Sequence, residues 1–151
     1  MITLKELGVE QYDSIVAFDK LCFPTDCWKE EDWKDLLEDK MSIYYALLDG
    51  DQIIGDVFIY NWGTEKEYVK IMNLAIHPEY RKKGLAHQLL NHVTDEMKVL
   101  EMKRFCGETR SSNQSMQTVF KDCGYELNKI EENYFESPNE SAYKFALQLL
   151  G

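Results

Sequence analysis

The stretch Asn73-Leu74-Ala75-Ile76-His77-Pro78-Glu79-Tyr80-Arg81-Lys82-Lys83-Gly84-Leu85-Ala86 decides the fold, because its character changes twice along its length. It closes a run from Tyr68 in which Val69, Ile71, Met72, Leu74, Ala75 and Ile76 are apolar, the pattern of a central strand covered on both faces. Pro78 cannot donate to a ladder and stops that strand. Beyond Gly84, residues Ala86, Leu89, Leu90, Val93 and Met97 recur at three- and four-residue steps, which predicts a long helix with one apolar face.

The flanking sequence extends this unit in both directions. Residues 2–4 predict a short strand, and Tyr12, Ile15, Val16 and Asp19 follow at helical intervals, predicting a helix to about Leu21 that ends before Pro24. Phe23-Pro24-Thr25-Asp26-Cys27-Trp28 reads as a loop, and Trp33, Leu36 and Leu37 place a second short helix. Residues 42–48 and 53–60, rich in β-branched and aromatic side chains, form a hairpin around Asp49-Gly50-Asp51, and Trp62-Gly63 marks the next turn. Toward the C-terminus come a strand over 104–109 and a helix over 113–123, with Met116, Val119, Phe120 and Cys123 on one face and Gly124 as its cap. Strands over 125–131 and 142–149 close the series, with Tyr134 on the loop between them. The expected class is α/β: a mixed sheet with helices on both faces, in one domain over residues 1–151.

Composition narrows what such a domain can do. With 151 residues, 44% of them apolar, the chain can bury a core, and no Pro/Gly/Ser linker or repeat divides it. Lys5, Glu6, Glu10 and Asp13 interrupt any leader-like apolar run, and no later stretch is long enough to span a bilayer, so a cytoplasmic location is expected and a membrane partner is not. The formal charge of −10 argues against nucleic acid, whose phosphates need a basic face. It suits a cationic acceptor and equally serves plain solubility. Cys22, Cys27, Cys106 and Cys123 are too scattered for a metal pair and read as small apolar fillers; His77, His87 and His92 complete no ligand spacing, so no metal is expected.

Chemistry concentrates at Arg81-Lys82-Lys83-Gly84-Leu85-Ala86, where the strand hands over to the helix. A helix N-terminus carries unpaired N–H donors and a positive dipole end, and a glycine there lets a phosphate approach closely. Three adjacent cations add attraction. R-x-x-G-x-A alone is a weak pattern that also fits a solvated basic turn, and no G-K-[ST] of a Walker loop is present. In its context after Asn73 to Tyr80, however, it resembles the acetyl-CoA-binding core of the GNAT superfamily of N-acetyltransferases. Glu108-Thr109-Arg110-Ser111-Ser112-Asn113, Phe120-Lys121-Asp122-Cys123-Gly124-Tyr125 and Asn133-Tyr134-Phe135 are similar to the ribosomal-protein-alanine N-acetyltransferase branch. Phe23-Pro24 and Trp28 resemble that branch's F-P-W loop, with three extra residues between proline and tryptophan.

The resemblance implies a GNAT fold and acetyl-CoA as cosubstrate. It implies that the backbone of Leu74, Ala75 and Ile76 pairs with the pantetheine arm and the acetyl carbonyl. The amides of Lys82, Lys83, Gly84, Leu85, Ala86 and His87, beside Arg81, would hold the pyrophosphate. Asn113 would bond the pantetheine, Phe120 would lie beside the cofactor, and Phe23, Pro24, Trp28 and Tyr134 would flank the acceptor. Glu108 is implied as general base, through water. An α-amine titrates near ~8 and a lysine near ~10.4, so at neutral pH a carboxylate must take the proton before the amine can attack. Arg110 reads as an ion-pair or packing residue, and His87 and His92 as helix-surface side chains. Phe120 occupies the place of a tyrosine thought to protonate the departing thiolate in the branch; Tyr134 is the substitute donor or an aromatic wall. The acceptor implied is the N-terminus of a ribosomal protein. A small amine such as a polyamine or amino acid, and a CoA-binding sensor without catalysis, are the alternatives, and a monomer and a homodimer are equally open.

Overall fold

The computed structural model describes residues 1–61 and 68–149. The elements are β1 (Ile2–Leu7), α1 (Tyr12–Cys22), α2 (Glu30–Glu38), β2 (Ser42–Asp49), β3 (Gln52–Asn61), β4 (Tyr68–Ile76), α3 (Leu85–Val99), β5 (Arg104–Arg110), α4 (Gln114–Asp122), β6 (Glu126–Phe135) and β7 (Glu140–Gln148). Single 3-10 turns at Val9–Gln11 and Pro78–Tyr80 lead into α1 and out of β4. Among the described residues, the strands form one sheet in the order β1-β2-β3-β4-β5-β7-β6. Every neighbouring pair is antiparallel except β4 with β5, which α3 joins as a crossover.

Strand alternation divides the core into two layers. On β2, Tyr44 and Ala46 face α1 and α2, where they join Ile15, Val16, Phe18, Trp33 and Phe58. Tyr45 and Leu47 face the other way, joining Leu89, Leu90, Val93 and Met97 of α3 and Phe120 of α4. Both faces are covered, which explains the nearly unbroken apolar runs of β2, β3 and β4. Among the described residues no helix is long and apolar enough to cross a membrane.

Two expectations need correction. β1 runs to Leu7, further than its apolar residues indicate. β6 runs to Phe135, so Tyr134 lies on a strand and not on a loop. That strand is a sheet edge, mostly exposed and rich in charge, and it meets β7 through register shifts, so no clean period of two survives in its sequence. The turn expected at Trp62-Gly63 lies outside the described residues.

The centre of the sheet is not continuous. The parallel ladder pairs Tyr68 to Ile71 with Arg104 to Gly107 and then stops. From there β4 stays with β3 as far as Ile76, while β5 stays with β7 as far as Arg110. The two strands therefore diverge and leave a wedge. On the β3 side a register shift leaves Met72 without a partner, a bulge at the point where the wedge begins.

Candidate active site

A cavity of about 680 Å³ occupies the wedge. Its walls include Lys70 to Leu74 of β4, Glu108 to Arg110 of β5, Asn113, Met116 and Phe120 at α4, and Phe23, Asp26 and Trp28 of the α1–α2 connection. Pro24 is exposed and lies outside these walls.

The β4 side of the wedge presents backbone. The His77 amide donates to the Ile54 carbonyl at 2.8 Å, which makes Gly55–Ile76 a non-hydrogen-bonded pair of the β3–β4 ladder. Alternation then turns the N–H and C=O groups of Leu74 and Ile76 away from β3 and toward the wedge. Ala75 alternates the other way, its polar groups facing Asp56, so it departs from the expectation that all three residues offer backbone there. The Ile76 carbonyl already accepts from Arg81 Nε at 3.1 Å.

At the start of α3, Gly84 has φ of 76° and caps the helix without a side-chain bond. Lys82 before it also has positive φ, 66°. The first intrahelical bond is from Gln88 N to Gly84 O at 3.1 Å, so the amides of Leu85, Ala86 and His87 precede the ladder. They form the positive end of the dipole, suited to an anion such as a phosphate. A Cβ on Gly84 would meet nothing within 4 Å, so the approach is open. Arg81 is turned back onto the strand through its Nε and fastens the loop, and it is exposed together with Lys82 and Lys83. His87 Nε2 lies 2.9 Å from Asp122 Oδ2, tying α3 to the end of α4.

The α4 wall is apolar with one amide. Asn113 Oδ1 accepts from Met116 N at 3.2 Å and caps the helix, which leaves its Nδ2 as a donor for a ligand. Phe120 is 2% exposed and stacks on Phe145 with ring centroids 5.3 Å apart. Its ring tip fits only because residue 107 is glycine, where an added Cβ would lie 2.6 Å from Phe120 Cζ.

The remaining side is built of side chains. Along β5 the half-buried Cys106, Glu108 and Arg110 alternate with the buried Phe105, Gly107 and Thr109. Glu108 Oε1 accepts from the Tyr134 hydroxyl at 2.9 Å, and Lys144 Nζ lies 4.0 Å from Oε2. Burial, and then the Glu108 carboxylate, push the Tyr134 phenol up to about 12. Arg110 is held by two bonds of 2.7 Å to Asp26, by Glu140 at 3.2 Å and by the carbonyls of Glu136 and Pro138. Its guanidinium also lies 4.8 Å over the Phe135 ring. It is therefore an ion-pair residue that joins the α1–α2 connection to the β6–β7 turn. The three residues between Pro24 and Trp28 supply Asp26 to this tie.

Asp19 is the buried carboxylate of the cavity wall that sequence reading did not single out. It is 3% exposed and accepts from Trp28 N at 2.9 Å, Trp33 Nε1 at 2.8 Å and Asn73 Nδ2 at 3.5 Å. Burial pushes its carboxyl up, and those three hydrogen bonds pull it back toward the charged form. Asp19 thus fixes Trp28 against Trp33, ring centroids 4.5 Å apart, and links that aromatic wall to β4. The available signal was an aspartate in helical register with Ile15 and Val16, on a face that must be buried. Three cysteines behave as fillers: burial pushes Cys22 up to about 12, Cys123 to about 11 and Cys106 upward, away from thiolate chemistry. His92 pairs with Glu96 at 3.3 Å on the surface of α3.

Comparison with known proteins matches this architecture. The family described as acetyltransferase (GNAT) family matches residues 10–125. A Bacillus subtilis (strain 168) protein carrying the provisional name ribosomal protein bS18-alanine N-acetyltransferase is 24% identical over 139 residues, covering 92% of this chain and 90% of its own. The crystal structure of the Escherichia coli ribosomal-protein-S18-alanine N-acetyltransferase superposes with a TM-score of 0.90 at 19% identity, over 100% of this chain and 97% of that one. That of Arabidopsis thaliana NAA60 in complex with acetyl-CoA gives 0.86 at 15% identity, over 100% of each chain. A chain with a split β4–β5 sheet, open amides at α3 and a family match across most of its length belongs to the GNAT family of acetyltransferases and is an acyltransferase enzyme.

Proposed function

We propose that this enzyme moves the acetyl group of acetyl-CoA to the N-terminal α-amino group of a protein. The observation that carries the reading is the wedge itself: its cavity runs from β4, as far as Leu74, to the carboxylate Glu108 of β5, and the open amides of α3 follow β4 in the chain. Relatives named for alanine N-acetylation of a ribosomal protein support the protein acceptor.

Acetyl-CoA supplies an activated acyl group; the chain supplies position and proton transfer. The amides of Leu85, Ala86 and His87 bind the phosphates, with Lys82 and Lys83 beside them, and Asn113 Nδ2 donates to the pantetheine. Backbone N–H groups of β4 aimed into the wedge stabilise charge on the carbonyl oxygen during attack. Glu108 takes the proton of the ammonium, through water, and the freed amine attacks along the aromatic wall of Phe23 and Trp28. Tyr134 donates to Glu108 and positions it. A phenol pushed up to about 12 is a poor acid toward a thiolate of reference pKa near ~8.5, so Tyr134 is assigned to orientation and to the wall of the amine pocket.

Asp26, Asp32 and Asp35 also line the cavity, and they suit a second reading in which the acceptor is a small amine with a further positive charge. Mass spectrometry of protein N-termini from cells with and without the enzyme, with peptide and polyamine assays on the purified protein, separates the two. Acetylated N-termini and peptide turnover are expected. Turnover of polyamines alone moves the acceptor to small amines, and acetyl-CoA binding with no turnover of any amine leaves a CoA sensor.

A further inference from the structure

Among the described residues, two buried side-chain oxygens have no hydrogen-bond partner, Asp56 Oδ1 and Thr109 Oγ1. Of these two residues only Thr109 lines the cavity, and it is 5% exposed. Leaving a buried hydroxyl unbonded is unfavourable, so such a group in a cavity wall points to a partner that arrives with a ligand. Strand alternation sets Thr109 on the face of β5 opposite to Glu108, with Phe105 and Gly107. The tip of Phe120 lies against Gly107, two positions before Thr109 on that face. The amine enters from the Glu108 face, so the thiol arm of the cosubstrate belongs on the face of Thr109 and Phe120.

We propose that the Thr109 hydroxyl donates a hydrogen bond to the CoA sulfur as it departs, a service the apolar Phe120 cannot give. This rests on the acetyl-CoA reading above. In the step, Glu108 has already taken one proton of the ammonium through water and passed it to solvent; the freed lone pair forms the C–N bond and the C–S bond breaks with its electron pair on sulfur. The second proton, which the acylated nitrogen sheds as it becomes an amide, passes to Glu108. The sulfur leaves as a thiolate held by the Thr109 hydroxyl, which keeps its own proton, and solvent protonates the thiolate after release.

The test uses Thr109→Val, which preserves shape without the hydroxyl, Thr109→Ser, which keeps it, and Thr109→Ala should the valine variant not fold. Three quantities are measured: melting temperature, single-turnover acetyl transfer at saturating substrates, and the pH at which the thiol of bound CoA ionises, followed by thiolate absorbance. The valine variant is expected to melt no lower than wild type, because it loses an unbonded group. Its transfer rate falls about 10- to 100-fold, the range for a lost hydrogen bond to a charged group, and its bound thiol ionises at higher pH. Serine restores both. Unchanged transfer and unchanged thiol ionisation in Thr109→Val overturn the assignment. So does a loss confined to the acetyl-CoA dissociation constant with thiol ionisation unchanged, which would move the hydroxyl to the pantetheine. Failure of the wild type to bind acetyl-CoA in calorimetry removes the acetyl-CoA reading itself and is recognised separately.

Discussion

The two sides of the β4–β5 wedge are made of different material. On the β4–α3 side the donors are backbone groups from residues 74 to 87, neighbours in sequence. On the proposed acceptor side the polar groups are side chains drawn from α1, the α1–α2 connection, β5, β6 and β7, held in two clusters: Asp19 with Trp28, Trp33 and Asn73, and Arg110 with Asp26 and Glu140. A site of main-chain amides needs only a local conformation and tolerates change in most of its side chains. A site of side chains needs many elements to agree, and it can be retuned one residue at a time. On the proposed reading, the chemistry of the donor is fixed locally, while the choice of acceptor is distributed over the fold.

The sharpest way to probe this division is Glu108→Gln, which keeps shape and removes proton acceptance. Transfer should fall about 10²–10⁴-fold with acetyl-CoA affinity unchanged. Wild-type single-turnover rates at neutral pH with saturating amine would mean that Glu108 is not the base. Gly84→Val acts on the other side. A β-branched residue at φ of 76° strains the turn that presents the amides, so the acetyl-CoA dissociation constant in calorimetry should rise about 10- to 100-fold while the amine KM holds.

Arg110→Ala should leave acetyl-CoA binding alone and raise the amine KM about tenfold, because Asp26 and the β6–β7 turn lose their common anchor. An equal rise in the acetyl-CoA constant would break the proposed separation of the two sides. Asp56→Asn lies beneath both and should affect stability more than turnover. Burial raises the Asp56 carboxyl to about 7, against the Tyr44 hydroxyl bond that lowers it. An unfolded aspartate titrates near ~3.9, so between those pH values the folded state binds more protons and wild-type stability declines as pH rises. The asparagine variant should therefore gain melting temperature over wild type at pH 8, on the order of 5 °C, and gain least near pH 4.

The same division governs what could be read from sequence. The apolar run of β4, Pro78, Gly84 and the spaced leucines of α3 carry the donor side, since each states a backbone fact locally. Even there, the bulge at Met72 and the inward turn of Ala75 depend on β3, which no local pattern reports. Glu108 and Phe120 are legible through their sequence neighbours. Asp19 and the tie between Asp26 and Arg110 are not, because a buried polar network is defined by partners far along the chain. Tyr134 reads as loop in the sequence because an exposed, charged edge strand has no apolar side to announce it.

The strand order carries a consequence for synthesis. β7 is made last of the seven strands, yet it lies between β5 and β6, and through its first residue, Glu140, and the turn before it secures Arg110. A nascent chain can therefore pair β1 to β5 and pack α3 before β7 has left the ribosome, but it cannot complete the far half of the sheet. Closing the acceptor pocket requires contacts between residues 26, 110 and 140, a long-range step that belongs late in folding. If the two sides divide the work as proposed, the emerging enzyme acquires the means to hold its acyl donor before the means to select an amine.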